Sequence, residues 1–243
     1  MTNLREKLEL FAGLGVARVH VLRFNPDFSR TSAEDFIFRI VHRGLSAKWV
    51  LIGDDFRFGA RRAGDLAMLQ QAGKNLGFEV AVMESVTLDG VRVSSTAVRE
   101  TLAAGRLSQA KRLLGRDYSI SGRVVKGDRL GKKIGFPTAN IRLKRNRPPV
   151  SGIFAVQAHG IGQNVLKGAA SLGVRPTIKQ GDKPQLEAHF FDFNRDIYGE
   201  HLRVEFLHKL REEEKYPDLE TLTRQIARDV ENARSFFSGL IDA

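Results

Sequence analysis

The sequence contains no cysteine among its 243 residues. Disulfide bonds, thiolate metal sites and cysteine nucleophiles are therefore excluded. No apolar run approaches the roughly 20 residues that a membrane-spanning helix needs. The first residues include acidic side chains and no long apolar core, so the sequence predicts no signal peptide. We expect a cytoplasmic protein that does not bind membranes.

Positive charge is concentrated in one segment of a chain whose net charge is +11. Residues 101–150 contain 13 Lys and Arg against 2 Asp and Glu. The corresponding counts are 14 against 12 in residues 1–100 and 12 against 14 in residues 151–243. We expect the basic segment to attract phosphate, carried by a small molecule or by a nucleic acid. A solvated basic surface is the alternative interpretation.

Helix and strand patterns alternate along the first part of the chain. Apolar residues at helical spacing predict helices, and alternating or continuous apolar runs predict strands. The short connections between them are typical of a doubly wound parallel sheet. The predicted fold class here is α/β, Rossmann-like, with helices at 3–14, 32–45, 64–77 and 94–105 and strands at 17–24, within 47–59, and at 78–86.

Short strands separated by Gly, Pro and Asp turns follow from about residue 118. Several strands in succession without intervening helices predict an antiparallel barrel or sandwich. One amphipathic helix, beginning near Pro217, comes after the strands. The pattern changes across residues 105–118, where we predict a short linking helix. The predicted organisation is a domain at 1–105, a linker helix at 106–117 and a domain at 118–243.

The second half carries the motifs of a known family. The segments are SGRVVKGDRLGKKIGFPTANI (121–141), SGIFAV (151–156), ASLGVRPTI (170–178) and LEAHFFDFNRDIYGEHLRVEFLHKLREEEKY (186–216). This half resembles the riboflavin kinase module of the bifunctional bacterial riboflavin kinase/FAD synthetases. The resemblance implies a small Greek-key β-barrel that transfers the γ-phosphoryl group of ATP to the 5′-hydroxyl of riboflavin, giving FMN.

Two segments of the first half, VLIGDDFRFG (50–59) and RVSSTAVRETLAAG (92–105), are similar to the adenylyltransferase module of the same family. That module opens with a Gly-rich loop and a His-x-Gly-His element, but no two of the six histidines here are three residues apart. We therefore expect an incomplete nucleotidyltransferase-like domain. The second family activity, FAD synthesis from FMN and ATP, is expected to be lost or weakened in this chain. The residues that match form a predicted remnant of that site: Asp55, Phe56, Arg57, Ser94, Ser95, Thr96 and Arg99.

The stretch GKKIGFPTAN (131–140) offers backbone access, positive charge and two neutral oxygen ligands. Pro137 restricts the preceding residue to extended geometry, so that Thr138 and Asn140 lie on one side of the chain. A hydroxyl and an amide oxygen suit Mg²⁺, and glycines let backbone N–H groups approach phosphate. With the family resemblance we predict an ATP-phosphate and Mg²⁺ site; a plain turn into a strand is the alternative. The predicted phosphate-binding residues are Gly131, Lys132, Lys133, Gly135, Pro137, Thr138 and Asn140, with Thr138 and Asn140 as metal ligands.

The resemblance assigns the catalytic base to Glu187, within LEAHFF. A hydroxyl nucleophile needs a base within reach, and Glu187 shares one strand face with His189. His189 is the next candidate, although a hydrogen-bonded structural histidine is the simpler interpretation. Arg211 and Phe191 are predicted to contact the flavin ring. The alternatives are a surface ion-pair network for Arg211 and core packing for Phe191.

Two other functions stay open at this stage. A basic segment beside a small β-barrel is typical of some RNA-binding modules. An inactive fragment of the bifunctional enzyme is the second alternative. The expected partners are riboflavin and ATP, with Mg²⁺ as the cofactor, and the oligomeric state is open.

Overall fold

The structure, a computed structural model, describes residues 2–127, 130–143, 147–174 and 184–239. The chain divides into two compact units. Ala17–Val93 form one, which we call the α/β unit, and the residues up to Val16 join those from Ser94 onwards in the other, the barrel unit. This division differs from the boundary predicted at residue 105. Residues 175–178, part of a segment that carries the family resemblance, lie outside the described residues.

The first helix, α1 (Leu4–Gly13), belongs to the barrel unit through one buried carboxylate. Asn3 and Glu6 form a capping box at its start, in which Glu6 Oε2 accepts the backbone N–H of Asn3 at 2.7 Å. The other oxygen of Glu6 accepts the backbone N–H of Ser121 at 2.8 Å, and both residues are buried. This contact ties the helix to the first strand of the barrel.

The α/β unit contains a two-stranded parallel sheet and several short helices. The Ser32 hydroxyl starts the first long helical segment by accepting the N–H of Asp35 at 3.0 Å, and the segment continues in π-helical geometry to Gly44. A later helix ends at Gly77, whose φ of +78° is left-handed. The elements are α2 (Pro26–Ser29), α3 (Ala33–Asp35), the π-helix Phe36–Gly44, β1 (Trp49–Gly53), a 3-10 turn (Ala60–Arg62), α4 (Leu66–Leu76), β2 (Glu79–Met83), β3 (Thr87–Leu88) and β4 (Val91–Arg92). The predicted parallel pairing is confirmed for β1 and β2.

The strand predicted at residues 17–24 is wrong. All of these residues are exposed, and none is part of a strand. The alternating pattern tells which side chains would share a face, but a strand forms only where its backbone pairs with another strand. Within the described part of the α/β unit, β1 pairs with β2 and β3 with β4. The segment is paired with neither of these two sheets.

Six antiparallel strands form a closed barrel in the second unit. They are β5 (Tyr118–Val125), β6 (Ala139–Arg142), β7 (Gly152–Ile161), β8 (Asn164–Val174), β9 (Pro184–Phe190) and β10 (His201–Arg211). The order around the barrel is β10-β5-β6-β9-β8-β7, and β10 closes it by pairing with both β5 and β7. The predicted antiparallel barrel and the helix after it are confirmed. The other helices of this unit are α5 (Ser95–Ala103), α6 (Leu107–Leu114), α7 (Leu130–Lys133) and α8 (Leu219–Gly239).

Side-chain alternation along β9 separates the barrel core from its outer face. Leu186 and Ala188 are buried inside, whereas Glu187 and His189 are half-buried and face outwards. α8 covers part of this outer face and packs Phe237 against β7 and β8.

Among the described residues, no helix combines the length and apolarity needed to cross a membrane.

Candidate active site

A cavity of about 450 Å³ lies between the outer face of the barrel and α8. Strands β8 and β9 form its floor, and α8 and the residues after β10 form its sides. Its volume is in the range of small-molecule binding sites. Its polar lining includes Thr138, Ser171, Glu187, Arg211, Glu213 and Asp229.

The predicted base, Glu187, lines this cavity from β9. Its Cα is paired across the sheet with Asn140 of β6 on one side and with Ser171 of β8 on the other. Directly paired residues share a face of the sheet, and their Cβ atoms lie about 5 Å apart. The sheet register therefore brings the predicted base next to the predicted metal ligand Asn140.

The stretch 131–140 forms a helical turn and then an extended segment. After α7, Gly135 adopts a φ of +86°, and the N–H of Phe136 donates to the carbonyl of Gly131 at 2.8 Å. The chain thereby turns back on itself, and an added Cβ at Gly131 would lie 3.3 Å from Thr138 Oγ1. The same Cβ would collide with the carbonyl of Phe136. Gly131 is therefore required for this turn.

The two predicted metal ligands are of a chemical type that suits a magnesium ion bound together with substrate phosphate. The amide of Asn140 packs against Gly127, and Thr138 Oγ1 faces Gly131, so a Cβ at either glycine would crowd one of these two oxygens. A hydroxyl and an amide suit Mg²⁺, which keeps several waters and is bound largely through substrate phosphates. The described ranges contain no group of three or more His, Asp or Glu that could hold a metal. The metal-binding role of Thr138 and Asn140 stays a prediction.

A second cavity, of about 230 Å³, adjoins the first at Thr138, which lines both. Lys132 and Pro137 from the predicted phosphate-binding set also line it, and Arg195 adds a second cation. Lys133 is exposed. The GFPTAN segment thus forms part of the wall between a larger cavity and a smaller one, whose charged lining residues are Lys132, Arg195 and Asp196 among those described.

His189 holds this wall in place. Its Nδ1 lies 2.9 Å from the carbonyl oxygen of Pro137, and its ring meets Phe136 edge-on at 5.5 Å. Because a carbonyl oxygen can only accept, Nδ1 carries the proton of this hydrogen bond. The arrangement agrees with a structural role for His189.

Arg211 lines the larger cavity, but its guanidinium group is hydrogen-bonded to other groups of the protein. Its Nε and Nη2 donate to the two carboxylate oxygens of Asp229 at 2.8 and 2.6 Å, and its Nη1 donates to the carbonyl of Glu212. The side-chain hydrogen bonds to Asp229 raise the pKa of Arg211 above its ordinary value. Asp229 is buried in α8, so this pair fastens the end of β10 to the helix. Flavin binding by Arg211 stays a prediction.

Phe191 lies behind His189, whose ring it meets edge-on at 6.2 Å. It lies just after β9, edge-on to Phe237 at 6.2 Å, with the guanidinium of Arg234 at 4.4 Å over its ring. Among the described lining residues of both cavities Phe191 is absent, whereas Phe190 and Phe193 line the smaller one. Its predicted contact with the flavin is untested.

The predicted adenylyltransferase remnant is divided between the two compact units. Asp55, Phe56 and Arg57 follow β1 in the α/β unit, where Phe56 stacks on Phe58 at 5.6 Å. In the barrel unit, the hydroxyl of Ser94 caps α5 by accepting the N–H of Ala97 at 3.1 Å. The other three predicted residues, Ser95, Thr96 and Arg99, lie within α5.

Several cavity residues have no counterpart in the sequence-based predictions. Ser171, Gly173 and Glu213 come together only because the chain after β10 folds back over β8. Asp229 carried a usable signal, since a carboxylate interrupts the apolar face of α8 between Ile226 and Val230. A buried charge in such a stripe indicates a partner, which here is Arg211.

Both halves of the chain match families of known proteins. The family model for riboflavin kinase matches residues 114–237, and the model for FAD synthetase matches residues 1–97. The bifunctional riboflavin kinase/FMN adenylyltransferase of Escherichia coli strain K12 is 46% identical over 237 residues, which is 98% of this chain and 75% of that protein. The corresponding protein of Haemophilus influenzae is 44% identical over 238 residues, covering 98% of this chain and 77% of that one. A Streptococcus pneumoniae crystal structure described as a macrolide-efflux protein superposes with a TM-score of 0.81 at 29% identity, over 96% of this chain and 74% of that one.

Proposed function

This chain belongs to the family of bifunctional riboflavin kinase/FMN adenylyltransferases, and from that premise we propose how its barrel unit arranges riboflavin and ATP. The barrel unit is a riboflavin kinase: it transfers the γ-phosphoryl group of ATP to riboflavin and forms FMN. Riboflavin occupies the larger cavity, and the phosphates of ATP occupy the smaller one.

One observation carries this arrangement: Thr138 lines both cavities, while Glu187 lines the larger cavity beside the same wall. Phosphoryl transfer requires the acceptor hydroxyl and the γ-phosphorus to meet in line, which a shared wall allows. The cavity beside α8 has the volume of a drug-sized ligand, as a flavin requires. The smaller cavity has two cations, Lys132 and Arg195, and one carboxylate, Asp196, among its described lining residues, and the two cations can bind anionic phosphates.

Glu187 accepts the proton of the riboflavin 5′-hydroxyl as the oxygen forms its bond to the γ-phosphorus. The bond from that phosphorus to the bridging oxygen breaks at the same time, and ADP leaves with the electron pair. Thr138 and Asn140 would hold Mg²⁺, which when bound neutralises charge on the phosphates. Gly131 leaves space for the Thr138 hydroxyl, and His189 fixes the Pro137 carbonyl so that the segment keeps its position. The RNA-binding and inactive-fragment alternatives have no support from the matched families.

The first test is product formation. The purified 243-residue chain is mixed with riboflavin and ATP, with or without Mg²⁺, and the flavins and nucleotides are separated by chromatography. We expect FMN and ADP in equal amounts with Mg²⁺ and neither without it. Absence of FMN in the presence of Mg²⁺, from a folded sample, would contradict the proposed function.

Thr138→Ala and Asn140→Ala test the assignment of the wall to metal and phosphate. Each should raise the KM for Mg·ATP by about 10- to 100-fold, the effect seen when metal-ligand geometry is disturbed. Riboflavin affinity, measured without ATP by quenching of flavin fluorescence, should change far less. Thr223→Ala is the matched control, because the Thr223 hydroxyl is exposed and donates to the carbonyl of Leu219 within α8. A change in riboflavin affinity alone would contradict the assignment.

A further inference from the structure

A short segment after β10, residues Glu212–Tyr216, borders the larger cavity; we call it the strap. It has no regular secondary structure, and its last four residues line the cavity. The strap leaves β10 at Arg211, which is fixed to α8 by its two bonds to Asp229. The strap therefore starts from a fixed point at the edge of the site.

The carboxylate of Glu213 is held against the floor of the cavity. Ser171 Oγ donates to Glu213 Oε1 at 3.0 Å. Gly173 leaves the space for this approach, since the three atoms nearest to an added Cβ there are all in the Glu213 carboxyl group and would overlap it. The φ of Gly173 is not in the left-handed region, so the backbone itself does not require glycine. The close contact with Glu213 is what a side chain at position 173 would disturb.

This places a second carboxylate beside the proposed base. Ser171, which binds Glu213, is the cross-strand partner of Glu187. Among the described residues that line the cavity, four are carboxylates and two are cations. One of the cations, Arg211, is paired with Asp229, and Glu213 adds a negative charge at the cross-strand neighbour of Glu187.

We propose that Glu213 is a specificity-determining residue that makes the cavity favour uncharged riboflavin over its phosphorylated product, FMN. This inference rests on the proposed function, because that places the 5′ end of riboflavin at Glu187. The 5′-hydroxyl is neutral before the reaction, whereas a phosphate monoester carries nearly two negative charges at neutral pH. Once phosphorylated, the same position faces both Glu187 and Glu213. Repulsion then weakens FMN binding and favours its release, while riboflavin keeps its contacts.

The test compares the affinities of the two flavins. Dissociation constants of FMN and riboflavin are measured without nucleotide by quenching of flavin fluorescence, for the full chain at low and high salt. Glu213→Gln removes the charge and keeps an oxygen that can accept from Ser171. Gly173→Ala keeps the charge and displaces the carboxylate. Glu212→Gln is the matched control, since Glu212 belongs to the same strap but is 73% exposed and pairs with Lys209 at 2.6 Å.

We expect Glu213→Gln to lower the ratio of the FMN constant to the riboflavin constant by about three- to tenfold at low salt. Gly173→Ala should shift the ratio in the same direction, and Glu212→Gln should leave it nearly constant. The effect should shrink in about 1 M salt, where the Debye length is about 3 Å. If Glu213→Gln does not fold, the Gly173→Ala result decides.

An unchanged ratio in the folded variants, or an equal change in Glu212→Gln, would overturn the inference. The wild-type chain would still form FMN in that case, so the proposed function would stand. A folded wild-type chain that forms no FMN would instead contradict the proposed function, and the inference would fall with it.

Discussion

Glu187 depends on its neighbours for its position, because it lies on a strand that is held from both sides. Asn140 of β6 and Ser171 of β8 flank it across the sheet. Its own neighbours in β9, Leu186 and Ala188, are buried in the barrel and fix the strand. A rigid strand is a more accurate support for a base than a loop, since a misplacement of about 1 Å costs a large part of the rate.

Glu187→Gln tests the proposed base directly. The amide keeps the size of the side chain but cannot accept a proton, so kcat for FMN formation should fall by about 10²- to 10⁴-fold. Riboflavin and ATP should still bind. Steady-state FMN formation by the wild type and the variant measures kcat. A Glu187→Gln variant with nearly wild-type kcat would exclude Glu187 and make His189 the next residue to test.

Candidate site residues could be predicted where they lie close together in the sequence. The GFPTAN stretch and the LEAHFF segment each bring their residues together within a few positions, and both border the larger cavity. Ser171 and Glu213 could not be paired in this way, because they meet only through the path of the strap over β8. Their contact is decided by the tertiary fold, and neither residue carries a local signal of it.

At the scale of elements, β7 and β10 are joined by a polar cluster on their outer face. Glu205 of β10 accepts from Gln157 Nε2 at 2.7 Å and lies 3.1 Å from His159 Nε2, while Arg203 lies 3.1 Å from its other oxygen. Burial raises the pKa of the Glu205 carboxyl, but the hydrogen bonds from Gln157 and His159 and the nearby Arg203 outweigh it. The pKa therefore lies below its ordinary value, and ionised Glu205 stabilises the folded barrel.

The lowered pKa of Glu205 predicts a pH dependence of stability with a defined sign. A carboxyl with a lower pKa in the folded state contributes fully above its unfolded-state pKa of about 4.3. That contribution is lost as the pH falls through the folded-state pKa. Glu205→Gln should therefore lower the Tm at pH 7 and approach the wild type near pH 3, as thermal unfolding across pH would measure. Glu100→Gln, at an exposed position of α5, should have little effect at any pH. A deficit in Glu205→Gln that is equal at pH 7 and pH 3 would contradict this linkage.

Elements with a local start or stop signal were mostly predicted well, whereas one alternating segment and one short hairpin were not. Ser32 caps its helix and Gly77 ends another, as the sequence indicates. The segment 17–24 alternates like a strand but is exposed throughout. The hairpin of β3 and β4 has an Asp89-Gly90 turn with positive φ at both residues. Such a pair is a strong hairpin signal, which the predicted secondary structure omitted.

On the scale of the whole molecule, the chain contributes to the barrel unit, leaves it, and returns. α1 and the residues from Ser94 onwards belong to one compact unit, with Ala17–Val93 between them. Composition could not reveal this, because one of the links is a hydrogen bond from the backbone of Ser121 to the side chain of Glu6. A backbone N–H is present at almost every position, so the sequence does not show which one a distant carboxylate will meet.

The two units should differ in their resistance to opening. The buried core of the α/β unit is small: Ala33, Ile37, Val41, Phe58, Leu69 and Phe78. Its two-stranded sheet leaves Trp49 56% exposed and Leu51 48% exposed. The barrel, by contrast, has no open sheet edge, because β10 pairs on both sides. Regions with few buried apolar contacts and exposed backbone bonds open at lower free energy.

Amide hydrogen exchange followed by mass spectrometry should therefore show Ala17–Val93 exchanging before the barrel strands. The same experiment separates the observed division from a boundary at residue 105, since α1 precedes the α/β unit in sequence but should be protected with the barrel. Glu6→Ala should speed exchange in α1 by removing the bonds to Asn3 and Ser121. Lys7→Ala, at an exposed position of the same helix, is the control. If α1 exchanged together with residues 17–93 in the wild type, the Glu6 contact would not be what protects it. If the two units were equally protected, the difference in core size would not determine their stabilities.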